Sequence, residues 1–222
     1  MRRRTFLGAA PAALRGAGKT APHIVLFLAD DHGWRDSPLY GNRAVRTPNL
    51  ERLAAAGVTF SNAFCASPSC VPSRAVLMSG LMPARNGAEA NHSQQKAGTP
   101  TLPRLLAQRG YRVAHFGKSH FLPAANYREM EFIPSEIRRG PLNNDLDPSA
   151  LDRWLADRPD TKSPVCLVVG CHSPHVYWPE INGYDPARVD LPPTFVDTPE
   201  TRDHRARYYT DISIADAQLG QV

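Results

Sequence analysis

The spacing of apolar residues along the chain changes period several times, and each change marks an element. Residues 23–29 form a near-continuous apolar run of strand length, closed by the acidic pair Asp30-Asp31. A run without alternation suits a strand buried on both faces of a parallel sheet. Residues 111–116 and 164–170 have the same character. Between these runs the period becomes helical. Thr47-Pro48, the stretch through Ala56 and the stop at Gly57 supply an N-cap, a proline at the first helical position and a C-terminal glycine. Residues 101–110 repeat that grammar, Asp147-Pro148 opens a helix reaching about residue 158, and Thr198-Pro199 opens a long one reaching about residue 219. Residues 58–64 read as a further strand, and residues 121–144 and 176–196, proline-bearing and weakly periodic, as loops over a site. Alternating strands and helices predict an α/β fold, a mostly parallel sheet with helices on both faces. Such sheets bind ligands beyond the C-terminal ends of their strands.

With 222 residues, 42% of them hydrophobic, the chain can bury a substantial single core. The net charge of +5 does not describe that core, because Arg2, Arg3, Arg4, Arg15 and Lys19 all precede the first acidic residue, Asp30. The remaining 21 basic residues balance the 21 acidic ones, so no nucleic-acid partner follows from the charge. Arg3-Arg4 followed by a short apolar segment, broken by Pro11 and ended by Arg15, reads as a twin-arginine-like leader over residues 1–22. It implies export, to a periplasmic or extracellular place. No stretch is long and apolar enough to act as a transmembrane anchor. Cys65, Cys70, Cys166 and Cys171 fit no paired-ligand zinc spacing, and Cys166, among apolar neighbours, reads as a small buried hydrophobe.

Four segments carry chemistry, and each stands at an expected strand end or helix start. Asp30 and Asp31 repel each other unless a cation lies between them, and hard ions such as Ca2+ or Mg2+ take oxygen ligands of this kind. Cys70-Val71-Pro72-Ser73-Arg74 runs on to Gly80, Gly117-Lys118-Ser119-His120 follows the second strand, and Cys171-His172-Ser173-Pro174-His175 follows the third. Singly, each has a plain alternative: a capping carboxylate, a structural cysteine before a short helix, a packed or solvated histidine.

Together and in this order they resemble the sulfatase family, of the alkaline-phosphatase-like superfamily, from about residue 23 onward. The resemblance implies that Cys70 is oxidised to formylglycine by a formylglycine-generating enzyme, and that the hydrated aldehyde attacks sulfur. Asp30 and Asp31, with the residue at 70, would hold a divalent metal, Ca2+ or else Mg2+. Arg74 would hold the formylglycine, Lys118 and His175 would contact sulfate, and His120 would serve as the base that releases it. Lys118 and His175 are expected in an open polar cleft, where they act on sulfate rather than on stability. The missing arginine after Gly80, the His172-Ser173-Pro174-His175 run and Tyr184-Asp185-Pro186 look like the heparan N-sulfatase branch, with a sulfated sugar or polysaccharide as substrate. The resemblance also implies that residues 23–222 are the N-terminal portion of a catalytic domain, and that this portion alone is inactive or nearly so. Three other readings stay open: a metal-dependent phosphodiesterase of the same superfamily with a Ser or Thr nucleophile, an inactive sulfated-glycan-binding protein, and a thiol enzyme using Cys70 unmodified.

Overall fold

The computed structural model describes residues 21–135, 146–157 and 162–222. In chain order the elements are β1 (Ile24–Ala29), α1 (Pro48–Ala56), α2 (Cys70–Ser79), α3 (Pro83–Asn86), α4 (Leu102–Ala107), β2 (Arg112–Gly117), β3 (Met130–Ile133), α5 (Pro148–Ala156), β4 (Val165–Cys171) and α6 (Pro199–Gln221). The four strands form one parallel sheet in the order β1-β4-β2-β3. The α/β architecture expected from the pattern is therefore present.

Every residue of β4 is buried, which explains its unbroken apolar sequence. Its alternate residues serve two cores. Val165, Leu167, Val169 and Cys171 pack with Ala150 and Leu151 of α5 and Ala215 of α6. Cys166 and Val168 face the other way, toward Met78 of α2, with Leu102 and Leu106 of α4 against the same cluster. Helices thus cover both faces, and each buried Val or Leu contributes about 1.5–3 kcal/mol of transfer free energy. Cys166 is the small buried hydrophobe its neighbours predict. A third cluster joins Ala206, Tyr208, Tyr209 and Ile212 of α6 to Val45 and Val189, pinning two loops to that helix.

Proline at the first turn starts α1, α5 and α6 as the sequence indicates. Asp147 and Thr198 cap their helices by accepting from the backbone N–H of Ser149 at 3.0 Å and of Thr201 at 3.1 Å. Thr101 occupies an N-cap position but turns its hydroxyl to the Asn126 carbonyl at 2.9 Å, tying α4 to a loop instead.

Three expectations need correction. Residues 58–64 form no strand, and Phe60 and Phe64 are exposed. Their β-forming composition finds no strand to pair with among the described residues, and pairing rather than composition makes a strand. The loop expected over 121–144 contains β3, whose Met130 pairs with Val113 and whose Ile133 pairs with Phe116. Four residues with apolar positions at both ends show no period-2 signal, so only the neighbouring strand defines this element. The helix expected over 101–110 is confined to Leu102–Ala107. The leader over residues 1–22 falls almost wholly outside the described residues. Among those described, no helix is long and apolar enough to cross a membrane.

Candidate active site

The sheet register brings the chemical segments together. Ala29 is level with Cys171, and Gly117 with Gly170, so β1, β4 and β2 end side by side. Asp30 and Lys118 follow their strands directly and are tied to the central one: Asp30 N–H donates to Ser173 O at 3.3 Å, and Lys118 N–H to Gly170 O at 2.7 Å. This closeness requires glycine. A Cβ on Gly170 would overlap the Lys118 carbonyl, and one on Gly117, whose φ is +88°, would overlap the Gly170 carbonyl.

The first turn of α2 closes over these strand ends. Cys70 is its first residue, and Asn91 Oδ1 accepts from the Val71 N–H at 3.1 Å. Arg74 lies one turn on, on the same helix face, and is buried. Its Nη1 donates to Lys118 O at 2.9 Å, and its Nη2 lies 3.5 Å from Asp30 Oδ1. Lys118 Nζ forms a buried ion pair with the other Asp30 oxygen. Cys70 Sγ stands 3.6 Å from Asp30 Oδ1 and 4.0 Å from Lys118 Nζ.

Burial raises the pKa of Asp30, but the Lys118 hydrogen bond and the charges of Lys118, Arg74 and His175 outweigh it, holding the carboxyl below its ordinary range. Asp30 is therefore ionised between two cations. Cys70 moves the opposite way: burial and the charge of Asp30 push its thiol up, with Lys118 only partly opposing them. The native thiol stays protonated at neutral pH and is a poor nucleophile.

Asp31 adopts the left-handed region with φ +65°. Its carbonyl accepts from the Tyr208 hydroxyl at 2.9 Å, and the same hydroxyl accepts from Gly33 N–H at 3.1 Å. The exposed Asp31 carboxylate reaches the His175 Nε2 at 3.8 Å. His175 is partly buried, with its Nδ1 2.6 Å from the Val176 carbonyl, which sets that nitrogen as the N–H donor and leaves Nε2 turned to the acids. Ligand atoms of Asp30, Cys70 and His175 all lie within 4.8 Å of one another, so these three residues fit a shared cation. An oxygen-bearing group at position 70 would make the set mainly oxygen, the donor type of Ca2+ and Mg2+. Asp31 flanks this group through His175.

His120 is exposed at the rim with φ +56°. Desolvation and the charges of Lys118 and Arg74 lower its pKa, so it is neutral and able to take a proton. It makes no hydrogen bond to Cys70 among the described residues. Lys118, expected in an open cleft, is buried, because the two glycines let its strand end sink beneath α2. It thus has a structural part, as the buried partner of Asp30. A cleft of about 660 Å³ opens above these residues, lined by Asp30, Asp31, Cys70, Ser73, Arg74 and Leu77.

Three contributors escape the sequence reading. His115, inside β2, is buried beneath Lys118 and holds its carbonyl through Nε2 at 3.0 Å. Tyr208 reaches Asp31 from α6, across a separation of 177 residues. Gly170 looks like any strand glycine. Only its position one residue before a chemical segment, at a close backbone approach, sets it apart.

The family model described as Sulfatase matches residues 22–222. The ulvan-active sulfatase of Formosa agariphila is 32% identical over an alignment of 213 positions that covers 90% of this chain and 40% of that protein. Among solved structures, BT1596, described as a 2-O GAG sulfatase, superposes with a TM-score of 0.69 at 20% identity, covering 90% of this chain and 53% of that one. The phosphonate monoester hydrolase of Agrobacterium radiobacter superposes equally well, with a TM-score of 0.69 at 19% identity over 90% of this chain and 58% of its own. The chain therefore spans about two fifths of that curated relative and a little over half of these structures. These structural likenesses carry the fold alone, while the sequence match extends from the first strand through the last helix. The chain belongs to the sulfatase family.

Proposed function

We propose that the protein belongs to an enzyme that hydrolyses a sulfate ester or N-sulfate on a sulfated sugar or polysaccharide, using a formylglycine made from Cys70 and a divalent metal. The observation that carries this reading is the placement of Cys70. Its Sγ lies against Asp30 at 3.6 Å and near Lys118 at 4.0 Å, where the surroundings hold the thiol protonated. A thiol enzyme needs the reverse, a base or cation that frees the thiolate. The site makes sense if position 70 carries a different group.

Hydrated formylglycine at position 70 would supply a hydroxyl nucleophile together with a second hydroxyl, and a metal would supply Lewis acidity toward a sulfate oxygen. Asp30, His175 and the group at 70 would hold that metal, with Asp31 beside them. The protein's own residues do the rest. Asp30 stays ionised because Lys118 and Arg74 face it. Arg74 fixes the helix that carries position 70 against the Lys118 carbonyl. Lys118 places positive charge where sulfate oxygens gather charge in the transition state, while His175 serves through Nε2, which is turned toward the acids and the metal they would hold. His120, neutral at the rim, can accept the proton whose removal ends the cycle. Ca2+ is the metal we favour, with Mg2+ as the substitute.

The ulvan-active relative supports a sulfated polysaccharide as substrate, and the His172-Ser173-Pro174-His175 run supports the heparan N-sulfatase branch as a narrower choice. We place residues 1–22 as an export leader and residues 23–222 as the N-terminal part of the catalytic domain, acting in the periplasm or outside the cell. A formylglycine-generating enzyme is then an obligatory partner during synthesis. The runner-up is hydrolysis of a phosphate diester, whose tetrahedral anion the same cations and metal-ligand candidates could hold.

Co-expression of the complete enzyme that carries this chain with a formylglycine-generating enzyme tests the proposal. Peptide mapping should find an aldehyde in place of the Cys70 thiol, and 4-nitrophenyl sulfate should be cleaved in preference to bis(4-nitrophenyl) phosphate. An intact thiol in active protein, or the reverse preference, would refute it.

A further inference from the structure

A second recess, of about 590 Å³, meets the active-site cleft at Asp31. Pro174, Val176, Trp178, Phe195 and Val196 form its walls and Tyr208 its floor. Val176, Phe195 and Val196 are 45%, 51% and 75% exposed, so three apolar side chains stand in water around one opening. Among the described residues no core packing accounts for this, and such a concentration marks a place where something binds. Trp178 is held firmly: its Nε1 donates to Pro174 O at 2.9 Å, and its ring meets that of Tyr208 edge-on at 5.6 Å.

The polar groups of the lining are already engaged within the protein. Thr201 Oγ1 pairs with Thr198 Oγ1 at 2.9 Å, and Arg205 Nε donates to Asp190 O at 3.0 Å while its Nη2 pairs with Asp36. Tyr208 is committed to Asp31 and Gly33. The exposed His204 imidazole and the Asp31 carboxylate are the remaining polar groups of this lining. A hydroxyl-rich edge pushed into the recess would lose its water and find few partners. A ring presenting a C–H or aromatic face would lose only unfavourable hydration. The volume falls within the range of sites for small molecules.

We infer that this recess receives the apolar ring face of the group that carries the sulfate, with Trp178 and Phe195 as the specificity-determining side chains. The inference rests on the sulfatase reading only in taking the neighbouring cleft as the sulfate site. The ring face has two chemical sources, an aryl group and the C–H face of a pyranose.

The test is calorimetric titration of the Cys70→Ala protein, which has no nucleophile at that position and cannot turn over, with 2-naphthyl sulfate, glucosamine 6-sulfate, methyl sulfate and uncharged 2-naphthol. At least one ring-bearing sulfate should bind about tenfold or more tightly than methyl sulfate, as expected for burying one ring face. Adding Trp178→Ala should remove that advantage and leave methyl sulfate affinity within about twofold. A gain for the naphthyl compound alone identifies an aryl group, and a gain for the sugar sulfate identifies a pyranose face. Phe195→Ser, on an exposed loop, should weaken ring binding without disturbing the fold. Binding of 2-naphthol that is lost in both variants, with no methyl sulfate binding, would sink the sulfate-site reading and uphold the recess. Equal affinities for ring-bearing and methyl sulfates, or an advantage that survives both substitutions, would overturn the inference.

Discussion

His115 offers a measurable consequence of how the site is supported. Its ring is buried between Phe121, at a centroid distance of 5.1 Å, and Phe132, at 5.6 Å, and its Nε2 meets the Lys118 carbonyl at 3.0 Å. Burial lowers its pKa from 6.5 to about 4, the Lys118 carbonyl opposing the shift and the nearby Arg74 charge adding to it. Between those two values the unfolded chain takes up a proton that the folded chain refuses. The stabilisation is therefore fully present above about pH 6.5 and is lost as pH falls toward 4. From pH 7.5 to pH 5 the linkage amounts to about 2 kcal/mol, roughly 1 M in urea midpoint for a chain of this size. His115→Gln keeps a side-chain N–H within reach of the carbonyl but does not titrate. Urea unfolding of both proteins at the two pH values should show the parent losing about 2 kcal/mol more than the variant. Equal losses in the two proteins would refute the reading of His115 as a buried neutral donor beneath Lys118.

The remaining predictions concern the site directly. Lys118→Ala should cost about 2–4 kcal/mol in unfolding free energy, because it strips one of two cations from a buried carboxylate, and in the complete enzyme it should also reduce sulfate hydrolysis more than about tenfold. His175→Ala, at a partly open position, should reduce hydrolysis by a similar factor with a stability change within about 1 kcal/mol, so calorimetry and kinetics on the pair separate the two roles. Gly170→Ala should cost about 3 kcal/mol or more, since the added carbon meets the Lys118 carbonyl rather than a movable side chain, and a neutral result in thermal unfolding would contradict the register described above. Added Ca2+ should raise the melting temperature of the formylglycine-bearing protein, and Asp30→Asn should abolish that rise. A rise of unchanged size in the variant would remove Asp30 from the metal site.

The sequence by itself determined the class of fold and the segments that meet at the candidate site. Continuous apolar runs mark buried parallel strands, and Asp30, Lys118 and His175 are legible because each lies within a few residues of the end of such a run, while Cys70 and Arg74 open a helix at the spacing of one turn. These are local properties, fixed by periodicity and by the chemistry of neighbouring residues. The order β1-β4-β2-β3 is not local. It makes the last strand central and thereby sets residues from three distant segments side by side, and backbone pairing across the sheet decides it. The same reason explains the misreadings. Residues 58–64 have the composition of a strand without a partner among the described residues, and β3 has a partner without the alternation that marks a strand. The state of Lys118 was also beyond the sequence. Whether it stands in an open cleft or under a helix depends on how closely two strand ends approach, and that distance is set by Gly117 and Gly170 meeting across the sheet. The supports of the site, His115 below it and Tyr208 beside it, act through backbone carbonyls, and a contact of that kind leaves no pattern along the chain.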